Sequence, residues 1–196
     1  MTAKNYGLTL EIKEYNKSLL IIGVKDFKIT NYDEVRKELT EKVQNLQVQL
    51  ADATKIFNIE HIYFAAFNAL KAFKNGKNIS NNLAMELLLY ISGQNQIKKA
   101  IENFGLKEGK MDVAIICIGE RKKDLENFSR ILQREFNIEI DHSLVESPSR
   151  KKFRYLKSIF EISDQELNAS RQKKDALENV LSKLIIERMA LLYAKI

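Results

Sequence analysis

The stretch NISNNLAMELLLYISGQNQIKKAIENFG, running from Asn78 to Gly105, packs two helices and a glycine corner into twenty-eight residues. Ser80 or Asn82 can cap the first helix, because a short side-chain oxygen accepts a backbone N–H that the helix leaves unpaired. That helix is apolar nearly all the way round: Leu83, Leu87, Leu88 and Ile91 fall on one face, Met85 and Leu89 on another. Such a helix must be buried on more than one side, with Glu86 as its charged exception. Gly93 then ends it cheaply in the left-handed conformation. Gln94, Asn95 and Gln96 follow, and a second helix presents Ile97, Ala100, Ile101 and Phe104 as its apolar side before Gly105 closes it.

Upstream, Ile59, Ile62, Tyr63, Ala66, Phe67, Leu70 and Phe73 recur at helical spacing and Asn75-Gly76 is a stop. The chain therefore has three consecutive helices with no strand between them, a separate layer against a sheet. The sheet begins with two antiparallel strands, alternating Leu8, Leu10 and Ile12, then the apolar block Leu19 to Val24. Asn31 with Glu34 starts a helix whose buried stripe is Val35, Leu39, Val43 and Leu46. Gln47 to Ala51 alternates and is expected to add a strand beside the first pair. Val113 to Ile118 is apolar without alternation, the pattern of a central strand covered on both faces.

Leu125, Phe128, Leu132 and Phe136 mark the next helix, ended by Asn137, and Ile138 and Ile140 a short edge strand. Ser147-Pro148 can open a helix, and Ser163 with Glu166 is a capping box. A last helix, from about Lys173 to Ile196, has one apolar face of Leu177, Val180, Leu181, Leu184 and Leu191. Its second face carries Ile185, Ile186, Met189, Leu192, Tyr193 and Ile196. A domain of this size usually hides one face, so the second is read as core or as a partner surface. Arg188, between the two, is read as an ion pair or as an interface anchor. The expected fold is α/β of the α+β kind: one domain over residues 1–196, a mixed, mostly antiparallel sheet, a three-helix layer and a long C-terminal helix.

Apolar residues at 45% and charged residues at 30% exclude a disordered chain. No apolar run approaches the roughly 20 residues that span a bilayer, and the N-terminus alternates instead of forming the solid block of a secretory signal. No membrane association is expected, and the protein is placed in the cytoplasm. One cysteine, Cys117, inside an apolar strand, excludes an internal disulfide. The formal net charge of +6 permits a polyanionic partner without requiring one.

Catalytic machinery is sparse. His61 and His142 stand alone, outside any close-spaced ligand cluster, so no metal is expected. Cys117 lacks the exposure and the base that a nucleophile needs. The seven glycines form no phosphate loop, and no serine has a nucleophile-elbow setting. A non-enzymatic binding protein without cofactors is the expectation.

Features suited to nucleic acid are present. Lys71, Lys74, Lys77, Lys98 and Lys99 belong to the three-helix layer and can attract phosphates. Gln94, Asn95 and Gln96 can hydrogen-bond the edges of unstacked bases, and Tyr90 can offer a ring for stacking. The helix start after Gly93 adds backbone N–H groups. Arg150, Lys151, Lys152, Arg154 and Lys157 form a second basic run, with Phe153 and Tyr155 interleaved.

The run Asn82, Glu86, Tyr90, Ser92-Gly93-Gln94-Asn95-Gln96-Ile97, Ala100 and Phe104-Gly105 resembles the small tRNA-recruiting subunit of the KEOPS complex. That assembly makes threonylcarbamoyladenosine in tRNA. The likeness extends to the apolar strand Val113 to Ile118, the SDQEL segment at Ser163 and Glu187-Arg188-Met189-Ala190 in the last helix. The resemblance implies a non-catalytic α/β protein that captures the single-stranded 3′ CCA end of tRNA and docks on a kinase-like ATPase, which carries the threonylcarbamoyl transferase subunit. It implies an RNA site at Ser92 to Ile97, with Asn82, Glu86 and Tyr90 beneath it; Lys71, Lys74, Lys77 and Lys98 are added to that site on their charge alone. The implied ATPase contact is Arg188, Met189 and Ala190 with Ile185 and Leu192. Where many archaeal relatives have an arginine this sequence has Asn95, so no arginine contact is carried over there. The alternative is a protein–protein adaptor that binds and activates a small kinase, with RNA binding incidental.

Overall fold

The structure is a computed structural model that describes residues 7–43, 45–136, 138–172 and 174–194. In chain order its elements are β1 (Leu8–Ile12), β2 (Lys17–Ile29), α1 (Tyr32–Glu41), β3 (Gln47–Asp52), α2 (Ile59–Lys74), α3 (Leu83–Ser92) and α4 (Ile97–Phe104). There follow β4 (Gly109–Gly119), α5 (Lys122–Glu135), β5 (Glu139–Ile140), α6 (Ser143–Glu146), α7 (Arg150–Ile159), α8 (Asp164–Ser170) and α9 (Leu177–Ala194). The chain forms two compact units, Met1–Ala53 with Gly105–Leu144, and Thr54–Phe104 with Val145–Ile196.

The first unit holds the sheet, in the order β1-β2-β4-β3, with β5 pairing β2 beyond the end of β1. Every described pairing is antiparallel. The hairpin β1-β2 puts Leu10 opposite Leu19, and β4 puts Ile116 opposite Ile21 and Ile115 opposite Leu50. As expected, β4 is central and buried on both faces from Val113 to Gly119, which is why its sequence shows no alternation. The expectation that β3 lies beside the first pair is wrong. Both β2 and β3 run antiparallel to β4 and hence parallel to one another, joined by the α1 crossover, and the most apolar strand takes the place between them.

One face of this sheet, with Leu20, Ile22, Val48, Leu50, Ile115 and Cys117, packs against Leu39 of α1 and Leu125, Phe128 and Leu132 of α5. The thiol of Cys117 is buried, and desolvation holds its pKa well above the usual value. The Asn31 side chain caps α1 through the Glu34 amide at 3.3 Å. Asn137, expected to end α5, lies outside the described residues; the last α5 turn closes with the Phe136 N–H on the Leu132 carbonyl.

The second unit is helical. Helix α2 packs against α3 and α9, α4 against α3, and α7 and α8 against α9. The expected three-helix layer is thus α2, α3 and α4. Asn58 caps α2, and Gly76 at φ 64° ends it, with the Lys77 N–H on Ala72 and the Gly76 N–H on Phe73, the hydrogen-bond pair of a Schellman motif. Helix α7 starts later than Ser147-Pro148 implies: Ser149 caps it through the Lys152 amide. The expected start of the last helix at Lys173 and its end at Ile196 lie outside the described residues; α9 runs from Leu177 to Ala194.

His61 locks this unit. The Phe57 N–H donates to Nδ1 at 3.2 Å, so Nε2 carries the proton and donates to the Ile91 carbonyl at 2.8 Å. The rings of Phe104 and Phe160 meet the imidazole edge-on at 6.4 and 5.8 Å. Burial lowers the His61 pKa to about 4, and the Lys152 charge acts in the same direction. The unfolded chain therefore binds a proton, near pH 6.5, that the folded chain refuses, and stability falls as pH drops from 6.5 to 4. At about 1.4 kcal/mol per pH unit the loss reaches roughly 3 kcal/mol. Urea denaturation across that range should show it, and His61→Gln should flatten the slope.

Candidate nucleic-acid interface

The corner is built by α3. Asn82 caps it, its side-chain oxygen accepting from the Met85 amide at 3.1 Å, and the Ser80 hydroxyl accepts from the Asn82 N–H instead of capping the helix itself. Glu86 lies inside. Its Oε2 accepts from the amides of Ile79 and Ser80 at 3.0 and 2.8 Å, tying the preceding loop to the helix. Its Oε1 and the buried Tyr90 hydroxyl make no hydrogen bond among the described residues. Desolvation raises the pKa of both, and the Glu86 charge pushes Tyr90 further.

At the other end Gly93 takes φ 64°, with its N–H on Tyr90 and the Gln94 N–H on Leu89. Two constraints meet there. A side chain at that φ is strained, and a Cβ would lie 2.6 Å from Cε1 of Phe160. The chain then turns outward. Gln94 is half-buried, Asn95, Gln96, Ile97 and Lys98 are exposed, and the Gln96 carbonyl accepts the Ala100 N–H to start α4. The side chains of Asn95 and Gln96 make no hydrogen bond among the described residues.

Beside the corner is a cavity of about 230 Å³ walled by Gly93, Gln94, Phe160, Glu161, Arg188 and Leu191. Arg188 Nη2 donates to both carboxylate oxygens of Glu166, at 2.7 and 2.9 Å, the ion-pair reading of this residue. Glu166 is thereby taken from its capping box: Ser163 caps the Glu166 amide at 3.1 Å, but the reciprocal bond is replaced by the pair to Arg188. Glu161 holds a left-handed φ of 53°.

Several expectations need correction. Tyr90 is fully buried and presents no face to a base; Glu86 and Ser92 are equally enclosed. Burial follows from the all-round apolar character of α3, which leaves no wet side for a stacking ring. Ile185, Met189 and Leu192, expected as partner contacts, are core: α9 is sandwiched by α2 on one side and by α7 and α8 on another, so both apolar faces are used. The exposed stripe of α9 is instead Lys183, Glu187, Ala190, Leu191 and Ala194. Ile97 and Ile101, read as the inner side of α4, are 40% and 45% exposed, and only Ala100 and Phe104 of that set are buried.

The lysines divide. Lys71 and Lys77 stand over the Tyr193 ring at 4.4 and 5.0 Å, where Asn75 Nδ2 donates to the Tyr193 hydroxyl at 2.9 Å. With the exposed Lys74 they belong to the last turn of α2 and the loop that follows it. Lys98 and Lys99, in the first turn of α4, directly follow the corner in sequence. Phe160, Glu161 and Leu191 were not legible as site residues; the left-handed Glu161 has no glycine or asparagine to mark it.

The profile described as kinase binding protein CGI-121 matches residues 27–193. The chain belongs to this family. The regulatory protein Cgi121 of Methanocaldococcus jannaschii is 30% identical over 141 residues, 72% of this chain and 83% of its own. The KEOPS complex subunit Cgi121 of Pyrococcus abyssi is 32% identical over 119 residues, 61% and 64% of the two chains. The EKC/KEOPS complex subunit CGI121 of Coccidioides immitis is 27% identical over 90 residues, 46% and 44%. The matched stretch thus spans under half of that fungal CGI-121 protein and just under two thirds of the Pyrococcus one. All three names describe regulation or membership of a complex. Among the described residues no helix is long and apolar enough to cross a membrane, and no three His, Cys, Asp or Glu side chains are grouped to hold a metal.

Gly93→Ala should cost about 2 kcal/mol, from left-handed strain and displacement of Phe160, read as a lowered urea midpoint. Glu161→Gly relieves the same strain at an exposed site and should raise stability by about 1 kcal/mol in the same measurement.

Proposed function

We propose that this CGI-121 family member is a non-catalytic, tRNA-binding regulatory subunit of a KEOPS complex, which captures the single-stranded 3′ CCA end at the Gly93 corner. The observation that carries this reading is the turn Gln94-Asn95-Gln96-Ile97, in which Asn95 and Gln96 are exposed with uncommitted side-chain amides, opening beside a cavity bordered by Arg188. Unpaired bases are read through hydrogen bonds to their edges, which side-chain amides supply in both senses. Arg188 spends one nitrogen on Glu166, and its Nε and Nη1 make no hydrogen bond among the described residues, leaving donors for a phosphate or a base acceptor. Lys98 and Lys99 favour the strand electrostatically without reading its sequence.

The second role is docking on a kinase-like ATPase, and through it an indirect link to the threonylcarbamoyl transferase subunit; the family description and the names of the archaeal relatives support it. With Ile185, Met189 and Leu192 committed to the core, the contact is assigned to the outer stripe of α9 at Glu187, Ala190 and Leu191, with Arg188 at its edge.

Full-length tRNA should bind at least tenfold more tightly than tRNA lacking its terminal CCA, at matched salt and by the same filter or fluorescence assay. Equal affinities would overturn the RNA reading. Ala190→Glu should abolish co-purification with the ATPase while tRNA affinity is retained; undiminished ATPase binding would remove the α9 assignment.

A further inference from the structure

Helix α7 carries the second basic run, and its surroundings divide that run into two groups. Lys152 is buried and Lys157 pairs with Asp164 at 2.5 Å. Phe153 packs against Phe57, and the Tyr155 hydroxyl donates to the Asn103 carbonyl at 3.0 Å, so the interleaved aromatics are structural and hold α7 against the end of α4. Arg150, Lys151 and Arg154 remain. All three are exposed, and none forms an ion pair among the described residues. At 100° per residue they fall within one arc of about 100°, and exposed Ser158 continues it.

This placement works against the fold. Two of the three cations occupy the first turn, at the positive end of the helix dipole, where positive charge is unfavourable. No acid lies within RKKFRYLKSI, and Glu146 and Glu161 stand beyond its two ends. Five other surface cations, Lys17, Lys37, Arg121, Arg130 and Lys183, each meet a carboxylate, whereas Lys98, Lys99, Lys122 and Lys123 are, like the α7 group, exposed without an ion pair among the described residues. An uncompensated basic face on a capped, anchored helix is complementary to an external polyanion.

The geometry ties the face to the corner. Ile159 and Phe160, at the far end of the same helix, line the cavity beside Gly93. At ~1.5 Å of rise per residue, Arg154 lies about 9 Å and Arg150 about 15 Å along the axis from Phe160. Around the axis Ile159 and Phe160 fall on the side opposite the basic arc, so a strand leaving the cavity turns over the end of α7 before running along it; at ~3.4 Å per stacked nucleotide the axial part of that path alone spans roughly three to four nucleotides. We propose that Arg150, Lys151 and Arg154 bind the backbone phosphates of the RNA segment immediately behind the captured end. The inference rests on the proposed end-binding at the corner and adds a second, sequence-blind contact that fixes the direction in which the strand leaves it.

The experiment uses the full chain and three probes: the trinucleotide CCA, a seven-nucleotide single strand ending in CCA, and full-length tRNA with or without CCA. The variant is Arg150→Gln/Lys151→Gln/Arg154→Gln, with the Arg150→Lys/Arg154→Lys pair as the charge-retaining control. For the wild-type chain, affinity should rise at least tenfold from the trinucleotide to the heptamer; for the triple variant that gain should vanish while trinucleotide binding is unchanged. The slope of log K against log[salt] for tRNA should fall by about 2 in magnitude, since each of the three lost contacts to a single strand removes about 0.7. The lysine control should retain both gain and slope. An unchanged heptamer gain and salt slope in the triple variant would overturn the proposal while leaving the CCA dependence of tRNA binding intact. Loss of that dependence in the wild-type chain would instead remove the reading on which it rests. Impaired ATPase binding with unaltered RNA affinity would assign the face to a protein and likewise overturn it. A urea midpoint no lower than that of the wild-type chain secures the comparison, because all three side chains are exposed and neutralising the first-turn cations removes an unfavourable interaction with the helix dipole.

Discussion

A helix that is apolar around its whole circumference has to be enclosed, and α3 imposes that requirement on the helical unit. Enclosure puts α2 along one side and α4 along another, and it draws Glu86 and Tyr90 inside with the leucines. A buried carboxylate is costly unless hydrogen-bonded. Glu86 meets part of that cost through two backbone amides of the loop that leads into its own helix. The charged residue is therefore a clasp for the entry to α3. The exit is clasped differently, by a left-handed glycine against an aromatic ring, because the chain must leave the core abruptly for Gln94 to Gln96 to reach solvent.

The same logic explains how the cavity at the corner arises. Phe160 closes α7 and reaches both Gly93 and His61, while Arg188 of α9 is held in position by Glu166 at the start of α8. Three separate stretches of chain thus converge on one glycine. The residues expected to form two distinct sites, the amide corner and the arginine of the last helix, border one cavity. An RNA end and a protein partner would then contact neighbouring parts of this unit, which gives the proposed regulatory role a short physical route between them.

Much of this was legible in the chain because the controlling interactions are local. The caps Asn31 and Ser163 and the stops Gly76 and Gly93 involve atoms a few residues apart, so residue type and spacing reveal them. The uninterrupted apolar run of β4 announced a strand covered on both faces. Where the reading failed, the deciding contact was long-range. Periodicity placed Ile185, Met189 and Leu192 together on α9, and Ile97 with Ile101 on α4, but it was the packing of α2, α7 and α8 around α9 that buried the first set, while the second stayed in solvent. Tyr90 looked like a stacking platform because an aromatic near amides and lysines has the right chemistry; its orientation into the core was set by its neighbours on α3.

The sequence by itself determined the order and type of the elements, the central strand, the three-helix layer and the glycine turn that exposes the amides, since each follows from hydrogen bonds and apolar spacing within one segment. Only the tertiary structure decided which apolar faces are covered, that β4 separates β3 from β2, and that Phe160, Arg188 and Gly93 share a cavity. The reason is that amphipathic spacing defines a face without naming its partner. The choice among partners depends on packing summed over contacts far apart in the chain.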